Sequence, residues 1–135
     1  MTLQARATKN LLCKIQVLNR QKQFRIYREA VALFCAALLR AVGRPNLALS
    51  VVFVGAQVMR SLNRRYLNRN YATDVLSFSY EEVMMDRTPF LGEVIIAPKI
   101  AALQAARYRV SAERELRKLL VHGIVHLLGS AVVAG

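Results

Sequence analysis

The chain has 135 residues, enough for a buried core, and its 55% of hydrophobic residues argues against disorder. No uncharged apolar run reaches the roughly 18 to 20 residues of a membrane-spanning helix, and the first residues show no signal-peptide pattern, so we expect a cytoplasmic protein with no membrane partner. Twenty Lys and Arg against eight Asp and Glu give a formal net charge of +12. This excess, mostly arginine, favours RNA as a partner over a merely soluble basic surface.

Hydrophobic periodicity predicts helices and strands in the order β-α-β-α-β-β-α-α. The strands are expected at 11–20, 46–55, 75–80 and 90–98, and the helices at 26–39, 56–68, 99–110 and 112–128. Gly43 and Gly129 are expected to end the first and last helices. The order predicts an α+β fold in which a small mixed sheet of about four strands packs with helices. We interpret residues 1–135 as a single domain.

Both histidines of the chain lie on the last predicted helix. His122 and His126 are four residues apart, so they share one helix face, one turn above the other. Two imidazoles in this arrangement can bind a single metal ion. From spacing alone, two buried histidines satisfied by hydrogen bonds explain the pair equally well. Gly123 stands where the zinc-protease motif has its glutamate, which disfavours a protease.

Three stretches of the sequence together resemble one family. They are "LNRRYLNRNYATDVLSFSY" (62–80), "LGEVIIAP" (91–98) and "ELRKLLVHGIVHLLG" (115–129). They are similar, in the same order, to motifs of the YbeY metal-dependent endoribonucleases. "TDVLSF" and "HGIVHLLG" are the most specific of these matches.

The resemblance implies a fold, a cofactor and a substrate. The fold is a β-sheet with surrounding helices, and the cofactor is one divalent metal ion, usually zinc, with His122 and His126 as ligands. The implied reaction is metal-assisted hydrolysis of single-stranded RNA, in 3′-end maturation of small-subunit (16S) rRNA and in ribosome quality control. Single-stranded RNA, small-subunit rRNA and the ribosome are therefore the expected partners, and DNA is not.

The sequence departs from the family after Gly129. The family continues with Tyr-Asp-His, whose histidine is the third metal ligand, whereas this chain has Ser130, Ala131 and Val132. Losing one ligand is expected to weaken metal binding by several kcal/mol, because complete structural zinc sites are worth roughly 10 to 16 kcal/mol. We therefore expect a site that is incomplete after Gly129 and an activity that is weakened or lost. A frameshift or an altered splice join in the gene is our hypothesis for the abrupt change.

Two alternatives remain open from the sequence. The first is a non-catalytic RNA- or ribosome-binding protein that kept the basic surface and lost its hydrolytic centre. The second is a metal-dependent hydrolase of another small substrate, which hydrolysis without RNA affinity would favour.

Further candidate residues lie in the matched motifs. Asp74 and Glu93 can serve as a general base or as partners of metal ligands; otherwise they cap a turn and pair with an arginine in a strand. Leu67 stands where the family often has a functional arginine, and Arg65 and Arg69 are the nearest substitutes. The expected contacts to RNA phosphates come from an arginine row on one helix, formed by Arg60, Arg64, Arg65 and Arg69.

Overall fold

The computed structural model describes residues 14–68, 73–80, 84–85 and 88–134, with backbone alone at 84–85 and 130–134. The strands are β1 (Ile15–Asn19), β2 (Ala48–Phe53), β3 (Val75–Ser79), β4 (Met84–Met85) and β5 (Thr88–Ile96). The helices are α1 (Arg28–Ala41), α2 (Ala56–Leu67), α3 (Pro98–Tyr108) and α4 (Ala112–Ala134). The predicted α+β fold is confirmed, with β4 as a short addition to the predicted order.

The strands form one mixed sheet in the order β1-β2-β5-β3. β2 pairs in parallel with both β1 and β5, whereas β3 runs antiparallel to β5. The two-residue β4 pairs only with β5. Within the part of the chain that the structure describes, β3 is an edge strand whose outer side has no strand neighbour.

Helices cover both faces of this sheet. β2 is buried along its whole length, and its alternating side chains enter two cores. Leu49, Val51 and Phe53 pack beneath α1 and α4, with Leu39 and Leu120 among the helix residues of that core. The second core lies beneath α2 and contains Val52, Met59, Leu76 and Ile95. α2 and α4 therefore lie on opposite faces of the sheet.

Glycine lets α4 approach the sheet closely. The Ser77 hydroxyl on β3 donates a hydrogen bond to the Gly123 carbonyl at 3.3 Å. A Cβ on Gly123 would lie only 2.7 Å from Val94 Cγ1, and one on Gly92 would meet the Phe78 carbonyl oxygen and Leu127 Cδ2. Gly92 also has a φ of +154°, which side-chain-bearing residues rarely adopt. The position of α4 over β3 and β5 thus depends on two residues that lack side chains.

One helix end is as predicted and another is not. Gly43 follows α1 with a φ of +78°, the left-handed conformation that ends many helices. The prediction that α4 ends at Gly129 is wrong, because the helix continues to Ala134. Gly43 and Gly92 are the described glycines with positive φ, so Gly129 keeps a right-handed backbone and the helix passes through it.

The described helices include none that is long and apolar enough to cross a membrane. Cys35 is a buried free thiol, and burial raises its pKa to about 12. Cys13, the other cysteine, lies outside the described residues.

The close approach at Gly123 predicts opposite effects for two glycine substitutions on α4. Overpacking costs about 1–3 kcal/mol, and replacing a helical glycine by alanine recovers about 1 kcal/mol. We expect Gly123→Ala to lower the free energy of unfolding by up to about 2 kcal/mol. Gly129→Ala is the matched control: its Cβ meets nothing within 4 Å, so it should raise stability by up to about 1 kcal/mol.

Urea unfolding of the two variants measures both effects. Val94→Ala combined with Gly123→Ala should relieve the clash, so that the double variant loses less stability than the sum of the single changes. Equal stabilisation by the two glycine substitutions would contradict a close contact at Gly123.

Candidate metal centre

The histidine pair lies on the exposed side of α4. His122 and His126 are both exposed, whereas the residues that follow them, Gly123 and Leu127, are buried against the sheet. The alternative of two buried histidines therefore does not hold in the structure. The rigid helix keeps the two imidazoles one turn apart and open to a ligand.

The flank of α4 that carries the histidines is turned toward β3. On the opposite flank, Glu113 and Arg117 line a cavity of about 330 Å³ together with residues of α1. At 3.6 residues per turn, His126 points half a turn away from Arg117. Because Gly123 contacts Ser77 on β3, the imidazoles project toward the β3 edge of the sheet. The cavity contains none of the predicted site residues.

The residues described fit a divalent metal only in part. Two imidazoles at this spacing are suitable ligands, but a catalytic zinc ion commonly has three protein ligands and a water. Among the described residues, no group of three or more His, Cys, Asp or Glu side chains is placed to hold a metal ion. His122 and His126 thus offer at most two ligands, which do not by themselves complete a catalytic zinc site.

Asp74 lies immediately before β3. It is half-buried, and its backbone carbonyl accepts a hydrogen bond from the Ala97 amide at 3.0 Å. Ser77, which contacts α4, is three residues further along, or roughly 10 Å in a strand. The structure therefore places Asp74 at the junction between β3 and α3.

Glu93 lies on the opposite face of the sheet from the histidines. Its neighbours Gly92 and Val94 point toward α4, so the Glu93 side chain points toward the α2 face. The carboxyl is half-buried, and burial raises its pKa, an effect that the positive charge of Arg20 partly offsets. Since the sheet separates Glu93 from His122 and His126, it is not positioned to act with a metal bound there.

The arginine row is exposed but is also across the sheet from the histidines. Arg60, Arg64 and Arg65 are exposed on α2. The Arg65 guanidinium lies over the Tyr66 ring, 5.6 Å from its centroid. Arg69 lies outside the described residues. The structure therefore does not bring arginines and histidines together on one face, and β3 forms the edge between them.

A group of aromatic side chains near the arginines was not predicted. Tyr66 packs against Phe78 with a centroid distance of 5.3 Å, and Tyr80 packs against Phe90 at 5.6 Å. The alternation of Phe78 and Tyr80, which places both on one strand face, is the only sequence signal for it. The contacts to Tyr66 and Phe90 require the tertiary structure.

The raised pKa of Glu93 predicts a pH dependence of stability. The folded chain holds this proton more strongly than the unfolded chain, so stability falls as pH rises above the ordinary glutamate value of about 4.3. Glu93→Gln should therefore unfold at higher urea concentration than the unsubstituted chain at pH 7. The advantage should vanish below pH ~4, where the carboxyl is neutral in both states. A loss of stability at pH 7 would show instead that attraction to Arg20 outweighs burial.

Comparison with known proteins identifies the family. Residues 15–130 match the sequence model described as Endoribonuclease YbeY. Endoribonuclease YbeY of Thermodesulfovibrio yellowstonii is 37% identical over 129 residues, covering 85% of this chain and 81% of the relative. Endoribonuclease YbeY of Aquifex aeolicus is 37% identical over 116 residues, covering 86% and 77%.

A solved structure supports the fold. The solution structure of a Thermotoga maritima protein aligns with a TM-score of 0.58 at 24% identity, covering 84% of this chain and 71% of the other. The family match spans β1 through most of α4, including the strands and the histidine-bearing helix described above. This chain belongs to the YbeY endoribonuclease family.

Proposed function

We propose that this chain is a metal-dependent endoribonuclease that cleaves single-stranded RNA in the maturation of small-subunit rRNA. The observation that carries the proposal is the exposed pair His122 and His126, held one turn apart on α4 in a chain whose residues 15–130 match the family. The ribosome in the cytoplasm is the proposed setting, and zinc is the proposed metal.

The charge of the chain supports an RNA substrate. A formal charge of +12 attracts polyanions over distances that salt limits to about 10 Å at 0.1 M. Arg60, Arg64 and Arg65 offer exposed guanidinium groups, which suit bidentate contacts with phosphate oxygens. We assign them the binding of the RNA backbone outside the site of cleavage, because they lie on the opposite face from the histidines.

The role we assign to His122 and His126 is to hold the metal ion. A divalent ion bound there would supply Lewis-acid chemistry at a phosphodiester. Since the described residues provide two ligands, the remaining positions must be filled from outside them, and we expect weaker binding than in a three-ligand site. Asp74 and Glu93 do not complete the site, so we assign neither a catalytic role.

One observation favours a second candidate function. The absence of a third ligand among the described residues also suits a protein that binds rRNA or the ribosome without cleaving it. Both functions need the basic surface, and only the first needs the histidines. Metal binding and cleavage therefore distinguish them.

Removal of either histidine should strongly weaken zinc binding. Loss of one of two ligands costs several kcal/mol, so we expect His122→Ala and His126→Ala each to weaken zinc binding about 100-fold or more. Val125→Ala is the matched control, because Val125 is exposed on the same turn and cannot bind zinc. Competition with a chromogenic chelator measures the affinities. Unchanged affinity in both histidine variants would rule out the assigned metal site.

Restoring a third ligand should strengthen both binding and activity. We expect a variant with Ser130→Tyr, Ala131→Asp and Val132→His to bind zinc more tightly and to cleave single-stranded RNA faster than the unsubstituted chain. This requires the variant's α4 to end near Gly129, because in a helix that continues to Ala134 position 132 lies about 120° around the axis from His126. Gel analysis of a labelled single-stranded RNA, with and without a chelator, measures cleavage. Chelator-sensitive cleavage by the unsubstituted chain supports the endoribonuclease. RNA binding without cleavage, even with zinc in excess, supports the non-catalytic alternative.

A further inference from the structure

Two pairs of aromatic side chains lie on the α2 face of the sheet, near its β3 edge. Phe78 points to this face from β3, and Tyr80 follows it two residues later. Tyr66, near the end of α2, packs edge-to-face on Phe78, with an angle of 66° between the rings. Phe90 on β5 packs on Tyr80 at 62°. We call Tyr66, Phe78, Tyr80 and Phe90 the aromatic cluster.

Two members of the aromatic cluster are open to solvent. Tyr66 is 56% exposed and Tyr80 is 42% exposed, whereas Phe78 and Phe90 are half-buried. Each exposed tyrosine thus stands against a phenylalanine that supports it. Edge-to-face contacts of this kind fix the orientation of a ring, so the tyrosines are ordered before any ligand binds.

Charges around the aromatic cluster suit a nucleic acid. The Arg65 guanidinium lies over Tyr66, and Arg60 and Arg64 are exposed on the same helix. Aromatic rings interleaved with arginines are the pattern with which proteins bind single-stranded nucleic acid: bases stack on the rings and the guanidinium groups hold the phosphates. A protein partner with an apolar surface would not explain why exposed arginines lie beside the rings.

Among the residues that the structure describes, the Glu93 carboxylate lies beside these rings and suits the polar edge of a base. Glu93 pairs in register with Phe78, so the two side chains are neighbours on the α2 face. Burial raises the pKa of Tyr80, and the charges of Glu93 and Tyr66 add to this effect. A carboxylate repels phosphate but accepts hydrogen bonds from the amino and imino groups of bases. The arrangement therefore directs bases toward the sheet and phosphates toward the arginines.

We propose that the aromatic cluster is a stacking platform for the bases of single-stranded RNA, with Tyr66 and Tyr80 as the contacting rings. The inference takes its ligand from the proposed function and adds a binding surface separate from the histidine pair. Because the platform and the histidines flank opposite sides of β3, an RNA strand bound to both passes around the outer edge of that strand.

Binding of a short single-stranded RNA in the presence of a chelator tests the platform without cleavage. Stacking contributes about 1–3 kcal/mol per base by alanine substitution, so Tyr66→Ala and Tyr80→Ala should each weaken binding roughly 5- to 150-fold. Tyr66→Phe, which keeps the ring, should bind as the unsubstituted chain does. Tyr108→Ala is the matched control, since Tyr108 is 59% exposed with Lys118 over its ring, but lies on α3. It should have no effect.

An abasic strand of the same length separates stacking from charge. The tyrosine variants should bind this strand as the unsubstituted chain does, whereas equal weakening for RNA and abasic strand would overturn the platform. Binding of RNA unaffected by both alanine variants, or no binding of RNA by the unsubstituted chain, would also overturn it. Stacking-dependent binding in a chain that never cleaves RNA would support the platform and refute the proposed endoribonuclease. Cleavage of RNA without tyrosine-dependent binding would support the proposed endoribonuclease and refute the platform.

Discussion

The close contact of α4 with β3 and β5 is the constraint on which the rest of the structure depends. Gly123 allows Val94 and Ser77 to approach the helix backbone, and Gly92 makes room for Leu127 one turn further on. Protein interiors are close-packed, so a side chain at either glycine would displace the helix or the sheet. Because both histidines lie on the same turns, this contact also determines where they project.

The edge strand β3 separates two surfaces of different chemistry. On one side, α4 presents two exposed imidazoles, and on the other, α2 and the sheet present tyrosines and arginines. A binding cleft would hold these groups on one surface. Here they lie on either side of an edge strand that has no strand neighbour on its outer side among the described residues. A flexible single strand can follow such an edge more readily than a duplex can. This arrangement gives a physical reason for single-strand preference in the proposed function.

The sequence predicts local features well and long-range geometry poorly. The apolar run of β2 and the spacing of His122 and His126 depend on neighbouring residues, so periodicity was sufficient for both. Periodicity could not show that Glu93 is across the sheet from the histidines. The face on which Glu93 lies depends on how β5 pairs with β2 and on the bulge next to Gly92. The aromatic cluster likewise needs contacts between α2, β3 and β5. The prediction that α4 ends at Gly129 was wrong for a local reason. A glycine ends a helix when its backbone adopts the left-handed conformation, and Gly129 does not adopt it.

Amide chemical shifts of the isotope-labelled chain, recorded as a short single-stranded RNA is added, test most directly whether RNA passes around β3. We expect the largest changes in Val75–Ser79, at the Tyr66 end of α2 and near His122 on α4, with little change in β1. Changes confined to α1 and the cavity beside Arg117, with β3 unaffected, would contradict a path of RNA around β3.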